Sequence, residues 1–562
     1  MGVKLLTGNA ALACVNSAAF QSSWRSLCAA CPWVTACQHP DFVVTWYHHY
    51  QSRLLPVVVV EQTGDGALVG LLTLALNRGT MKLSGAGDCQ AEYQGWISMP
   101  AAGEHFILAA LAAVRACFPD ADLCLKYLPP GIAPPDLGAI EQYRKLVSLH
   151  RHRRPLMRID AAAMAHQRSK KNHRQNFNRL ARLGKVHFEK LVEQRHFTEA
   201  LDDMSMQYDF RQAALYRCMP FAEDPFKKPF YRALHEKGLL HATILTVGEA
   251  IAASHLGLSS GGQVVHLGMN THHPAFAAHS PGNLLLAMLG VDLAADNIAW
   301  LDLTPGGDGY KEHFATEHDD VVELTVYGNR WRRWKQESLV AARQLVKTRL
   351  QSSGYRPAEV MALVQKLKSP DMYPLRRLVS TLRSRLSVRA QQFRHCGALP
   401  VIPHTKLLIS KNRVPDLIGF DASGCAVRYQ DFMSAAMRRM ERSQDAYSLV
   451  RDETLWICCW ARTVPVDAGQ SAKTARPRAD IILLDLYVHC DAHQCGLLSD
   501  FFAQLLCDLK GGASDVSVCY QGVLDSASQA AIARCGFVEE RAHRPGKGND
   551  EGSRGERHLK IG

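Results

Sequence analysis

Apolar positions cluster in short runs whose spacing changes along the chain. Residues 241–247, 251–258 and 263–269 are runs of strand length cut by Gly248-Glu249 and Gly261-Gly262, which predicts an antiparallel meander with tight turns. Residues 284–289 are continuously apolar and follow Ser280-Pro281-Gly282-Asn283, which predicts a helix with Ser280 as N-cap and Pro281 in its first turn. A strand over 298–303, a glycine-rich turn over 304–309 and a short helix from Tyr310 come next. Nearer the N-terminus, 56–61 and 67–76 flank Gly64-Asp65-Gly66 as a hairpin, followed by an apolar helix over 101–117 and a strand over 121–127. The C-terminal third reads as a strand over 480–488, a helix over 495–509, a strand over 516–520 and a helix over 526–535 stopped by Gly536.

Composition adds outer bounds. A chain of 562 residues, 47% apolar and 8% aromatic, has enough apolar surface for about three to four globular domains. There is no apolar run of about 18 residues, and no secretion signal is read at the N-terminus, so a cytoplasmic location is expected. The 17 cysteines are an odd number without a framework spacing and read as reduced, mostly buried thiols. Cys28 and Cys31 have metal-like spacing but no second pair follows, and His48-His49 and His272-His273 lack a third ligand, so no metal site is assigned.

Charge changes the picture more. Residues 330–394 hold 16 Lys or Arg against three acids, and residues 144–185 hold 13 against Asp160 alone, within a chain of net charge +12. Two basic blocks therefore sit on an acidic body. The second fits an anionic membrane surface or RNA: it carries Trp331 and Trp334 among arginines, and a basic amphipathic stretch over 375–386. A tail over 546–562, rich in glycine and charge, reads as disordered.

The order of three strands, a loop able to hold phosphate, a helix, a strand, a glycine-rich turn and a helix resembles the GNAT acyltransferase fold. Ser280-Pro281-Gly282 with Leu285, then Leu301-Asp302-Leu303 with Tyr310-Lys311, is similar to the BioF2-like, cellulose-biosynthesis-type acetyltransferases, two-lobed relatives of the FemAB aminoacyl transferases. The basic segment 168–184, expected as one helix, resembles the helix between the lobes of that family. The resemblance covers roughly residues 1–345 and implies a mixed α/β fold of tandem GNAT-like lobes. The expected organisation is a first lobe over 1–160, a basic inter-lobe helix over 161–185 and a second, donor-binding lobe over 186–330. A basic connector over 331–394, a divergent C-terminal GNAT-like domain over 395–545 and the tail follow. In that last domain the coenzyme loop departs from the family pattern: His493-Gln494-Cys495-Gly496-Leu497-Leu498 holds one glycine.

Acyl transfer needs a bound donor, a base for the acceptor proton and donors for developing negative charge. Ser280, Gly282, Asn283 and Leu284 are the candidates for holding the pyrophosphate of acetyl-CoA or another acyl-CoA at a helix start. Asp302 and His266 are candidates for handling the acceptor proton, Asp302 reading equally as a cap for its turn. Tyr310 is a candidate donor to the coenzyme sulfur. The resemblance implies that Lys311 holds an anionic acceptor or the transferring carbonyl, and that the acceptor is a sugar or amine of exopolysaccharide or cell-envelope synthesis. Aminoacyl transfer from charged tRNA, and a catalytically silent accessory to a polysaccharide synthase at the inner face of the membrane, are the alternatives.

Overall fold

The computed structural model describes residues 2–259, 262–352, 391–396, 400, 407–423, 427–465, 479–489, 491–492, 496–510, 517–522 and 524–539. They form two compact units. One comprises the described residues up to Ser352 together with Val427–Ser443, and the other the remaining C-terminal residues. The amphipathic stretch expected over 375–386, the tail over 546–562, and His493, Gln494 and Cys495 lie outside the described residues.

The strands of the first unit are β1 (Lys4–Thr7), β2 (Leu55–Gln62), β3 (Leu68–Asn77), β4 (Lys82–Gly85), β5 (Trp96–Ser98), β6 (Asp122–Leu125), β7 (Val147–Arg158), β8 (Val186–Lys190), β9 (Leu240–Val247), β10 (Ala250–Ser259), β11 (Val264–His272), β12 (Trp300–Asp302) and β13 (Glu317–Val326). Its helices are α1 (Gly8–Asn16), α2 (Ala18–Ala30), α3 (Pro40–Tyr50), α4 (Gly103–Cys117), α5 (Glu141–Arg144), α6 (Ala161–Ser169), α7 (Lys171–Ala181), α8 (Gln194–Tyr216), α9 (Lys227–Glu236), α10 (Pro281–Ala295), α11 (Gly309–Phe314) and α12 (Arg330–Ser352). The fold is mixed α/β, with all 13 strands in one sheet of order β1-β2-β3-β4-β6-β13-β7-β12-β11-β10-β9-β8 and β5 on β3.

The two halves of this sheet repeat one plan. In each, an antiparallel set of strands leads into a helix and then a parallel neighbour: β4, α4 and β6 in the first half, β11, α10 and β12 in the second. The period-2 valines of β2 show why such a sheet needs cover on both faces. Val58 and Val60 enter the core beneath α1–α3, while Val57 and Val59 enter the core beneath α4. The halves are joined by β7 and β13, which pair antiparallel along the whole of β13. From Leu284 to Val291 helix α10 is apolar on every side because two cores enclose it: Leu284 and Leu285 belong to one cluster, Leu286 and Leu289 to another.

The predicted meander is present as β9–β11, and the expected hairpin as β2 and β3. The single basic helix expected over 168–184 is instead two, α6 and α7, broken at Lys170, whose ψ of 143° is extended. The Ser169 hydroxyl donates to the His166 carbonyl at 2.8 Å, a local bond that competes with helix continuation. Of the expected connector, residues 330–352 form α12, and its last residues lie in strand Gln391–His395 of the second unit. Helix Tyr429–Glu441, expected within the C-terminal domain, packs in the first unit, where the Ser434 hydroxyl donates to the Ala214 carbonyl of α8 at 2.7 Å.

The second unit repeats the plan again. Strand Ala479–Val488 and strand Ser517–Gly522 are parallel neighbours joined through helix Leu497–Lys510, and helix Ser526–Arg534 leads to strand Phe537–Glu539. No described helix is long and apolar enough to cross a membrane.

Candidate functional site

The site grows from the place where three strands meet. Strand β12 pairs parallel with β11, setting Asp302 beside His266, and antiparallel with β7, setting Asp302 beside Leu156. Arg154, two residues before Leu156, lies on the same face of β7, and Asp319 lies opposite it on β13. The alternation of side chains thus gathers groups that are far apart in sequence.

Asp302 is fully buried and has no spare capacity. Its Oδ2 accepts from the Tyr93 hydroxyl at 2.6 Å and from Arg154 Nη1 at 3.0 Å, and lies 3.0 Å from His266 Nδ1. Its Oδ1 accepts from the Thr304 amide at 2.8 Å. Burial raises the Asp302 carboxyl, but His266, Arg154 and Tyr93 more than reverse this and bring it down to about 2. Arg154 is shared, its guanidinium also clamping Asp319 through Nε, at 2.7 Å, and Nη2. With Nδ1 held by a carboxylate, the remaining His266 nitrogen, Nε2, is the one left to serve chemistry.

His266 lines a cavity of about 200 Å³ between the two halves of the sheet, along with Cys89, Glu92, Lys126, Tyr208 and Lys227. Lys126 donates to Glu92 at 3.1 Å, and Lys227 stands 4.6 Å over the Phe221 ring, where burial lowers its ammonium. The wall bends because β10 bulges between Leu256 and Leu258. A Cβ on Gly257 would lie 2.3 Å from the His266 carbonyl oxygen, and one on Gly268 would lie 2.5 Å from that of Leu256. Only glycine permits that approach.

The other edge of β11 is paired over only part of its length. Its pairing with β12 ends at His266, so from Leu267 to His272 that edge has no strand partner, and α10 starts where it leads. Gly282 and Asn283 stand in the first turn of α10, whose amides lack intrahelical partners. Nearby, burial followed by the Arg211 charge pushes His272 down to about 4, and burial raises the Tyr310 hydroxyl to about 12 although Asn270 hydrogen-bonds it. The equivalent helix of the first half, α4, carries Glu104 in its first turn, which disfavours an anion there.

Several expected residues sit differently. Ser280 is the residue before α10, but its φ of 49° is left-handed and its side chain makes no cap bond. The Leu284 amide is bonded to the Ser280 carbonyl at 3.2 Å and its side chain is core, so Leu284 has no donor to offer a phosphate. Lys311 is buried beneath the turn, donating to the Thr304 carbonyl at 3.2 Å and hydroxyl at 3.1 Å. It holds the left-handed Thr304 turn and does not line the cavity. Asp302, His266, Gly282, Asn283 and Tyr310 are grouped around β11 and β12. The reading of the residues missed Tyr93, Arg154 and Asp319. The signal for Arg154 was the basic run from His150 to Arg154, which counts as charge in sequence but alternates between two faces of β7.

A family model described as an acetyltransferase (GNAT) domain matches residues 167–312. No curated protein matches the chain. Among solved structures, FemX aligns with 54% of this chain and 95% of its own at 9% identity and a TM-score of 0.38. A tandem GNAT protein of the clavulanic acid biosynthesis pathway aligns with 58% of this chain and 99% of its own at 14% identity and 0.37. L-PGS from Bacillus licheniformis aligns with 55% of this chain and 92% of its own at 10% identity and 0.35. The match to the GNAT acetyltransferase domain falls on the second half of the first unit, the part that holds β9–β12 and α10.

Proposed function

We propose that this chain transfers an acyl group from acyl-CoA to an amine or hydroxyl, with the acceptor in the cavity lined by His266. The observation that carries the reading is the buried pair of Asp302 and His266, the imidazole held at Nδ1 and facing the cavity. His266 takes the acceptor proton at Nε2 while Asp302 fixes the tautomer and stabilises the imidazolium. Tyr93 and Arg154 keep Asp302 ionised. The donor supplies an acyl thioester, and the residues suited to hold it are the Gly282 and Asn283 amides, the unpaired edge of β11, Arg211 and Tyr310. Within this proposal the chain is of the BioF2-like, cellulose-biosynthesis type and acts on a sugar or amine in exopolysaccharide or cell-envelope synthesis.

Calorimetric titration tests the donor. Acetyl-CoA binds the full chain, and Gly282→Trp, which fills the approach to the first turn of α10, weakens binding at least tenfold. Binding untouched by Gly282→Trp moves the donor elsewhere, and no binding to either protein sinks the reading in favour of charged tRNA.

We further propose that the chain works at the inner face of an anionic membrane through α12. Trp331 and Trp334 are 68% and 63% exposed and Leu345 is 66% exposed, on one face of the helix and flanked by Arg330 and Lys335. Exposed leucine favours lipid over RNA, since only lipid takes up aliphatic side chains. The full chain floats with vesicles containing phosphatidylglycerol and stays behind with neutral ones, and Trp331→Ala with Trp334→Ala lowers the floated fraction several-fold. Binding to RNA without flotation overturns this assignment.

A further inference from the structure

We propose that His241, Asp292 and Asp296 form a binding site for a divalent first-row transition metal, zinc being the type case, between β9 and helix α10. His241 comes from β9 and is only 6% exposed. Asp292 lies in the last turn of α10 and Asp296 is its C-cap residue, four positions on, which sets the two carboxylates on the same side of the helix end.

His241 Nε2 lies 3.2 Å from Asp292 Oδ2 and 3.8 Å from Asp296 Oδ2. These are not hydrogen bonds: both ring nitrogens of His241, and Asp292 Oδ2 itself, are buried without a hydrogen-bonding partner. Buried polar atoms left so are costly and uncommon. The same distances are natural between two ligands of one ion. Zinc bonds of about 2.0–2.2 Å, arranged tetrahedrally, separate the ligand atoms by about 3.3–3.6 Å. The ligand atoms of all three residues lie within 4.8 Å of one another.

A second imidazole adjoins the cluster. His255 is fully buried, its ring centroid 5.9 Å from that of His241, and neither of its nitrogens has a hydrogen-bonding partner. On the outer side the Lys190 ammonium pairs with Asp296, and its side chain is 32% exposed, so it is free to swing into water when an ion takes the carboxylate. The Asp292 and Asp296 side chains are 24% and 40% exposed, which leaves an entry path and room for water as the remaining ligands. An imidazole with two carboxylates suits zinc, cobalt or manganese, whereas magnesium and calcium prefer oxygen alone and copper(I) prefers thiolate. Such an ion ties the sheet to the helix whose opposite end faces the proposed donor. Sequence spacing did not reveal it, because its ligands come from separate elements.

The test uses the full chain, reduced, stripped with EDTA and dialysed, then titrated with Zn²⁺ by calorimetry and with Co²⁺ by visible absorbance. One equivalent binds with saturation, and zinc raises the thermal midpoint. Asp296→Asn, at a half-exposed position, weakens binding by at least the roughly tenfold that losing an outer-shell partner costs, and it abolishes the thermal shift. Lys190→Ala, which removes the competing cation, tightens binding. His241→Ala, if it folds, abolishes the cobalt spectrum. Binding that is weak, exceeds one equivalent, or is unchanged by both Asp296→Asn and Lys190→Ala is an adventitious ion only and overturns the site.

Discussion

His266→Gln lowers kcat by roughly a hundredfold to ten-thousandfold, the range that a positioned general base contributes, and leaves acetyl-CoA affinity unchanged. The glutamine amide can still donate to Asp302, so the buried carboxylate keeps a partner and the fold is not put at risk. What is lost is the nitrogen that takes a proton on the cavity side. Two readouts separate this from a structural effect. Acetyl-CoA binding measured by calorimetry and the thermal midpoint both stay near those of the parent. Thiol release from acetyl-CoA, followed with a panel of amines and amino sugars, gives the rate. A kcat within about threefold of the parent removes His266 from the chemistry and leaves the cavity without a base.

The parts of this arrangement that were legible in sequence share a physical cause. The β9–β11 meander could be read because its strands are short and apolar and its turns are marked by glycine, and α10 because Pro281 and a run of leucines announce a buried helix. His266 and Asp302 were candidates, but nothing in the sequence told that they face each other, since the parallel register of β11 and β12 is fixed by the intervening α10. Tyr93 left no signal, because it reaches Asp302 across the two halves of the sheet. Arg154 was hidden in a basic run and Asp319 in the acidic pair Asp319-Asp320, and only the β7–β13 register turns them into a bridge. Lys311 differs from its plain reading in another way. The residues alone make it a surface lysine, and only the resemblance gives it an acceptor to hold, whereas it is buried with its ammonium donating to the carbonyl and hydroxyl of left-handed Thr304, a conformation that needs holding.

Arg154→Met destabilises the first unit by about 3–5 kcal/mol, the cost of leaving a buried charge without its partner. Its side chain is 9% exposed and it is the cation in contact with fully buried Asp302, so water cannot replace it. The pH dependence follows from the direction of the Asp302 shift. Its carboxyl is held down at about 2 in the folded state against an ordinary value near 4, so it contributes about 2–3 kcal/mol above pH ~4. That contribution is lost as pH falls from about 4 through about 2. In Arg154→Met the folded carboxyl moves back up, and the acid loss begins at higher pH. Urea unfolding of the first unit at several pH values measures both, and a change below about 1 kcal/mol at neutral pH overturns the view of Asp302 as a charge held by Arg154. The paired variant Arg154→Met with Asp302→Asn removes both charges and keeps an amide oxygen to accept from the Tyr93 hydroxyl, so it regains part of the stability lost in Arg154→Met, while transfer is lost because His266 no longer has the carboxylate that sets its tautomer. Recovery of stability without recovery of activity separates the two tasks that Asp302 performs.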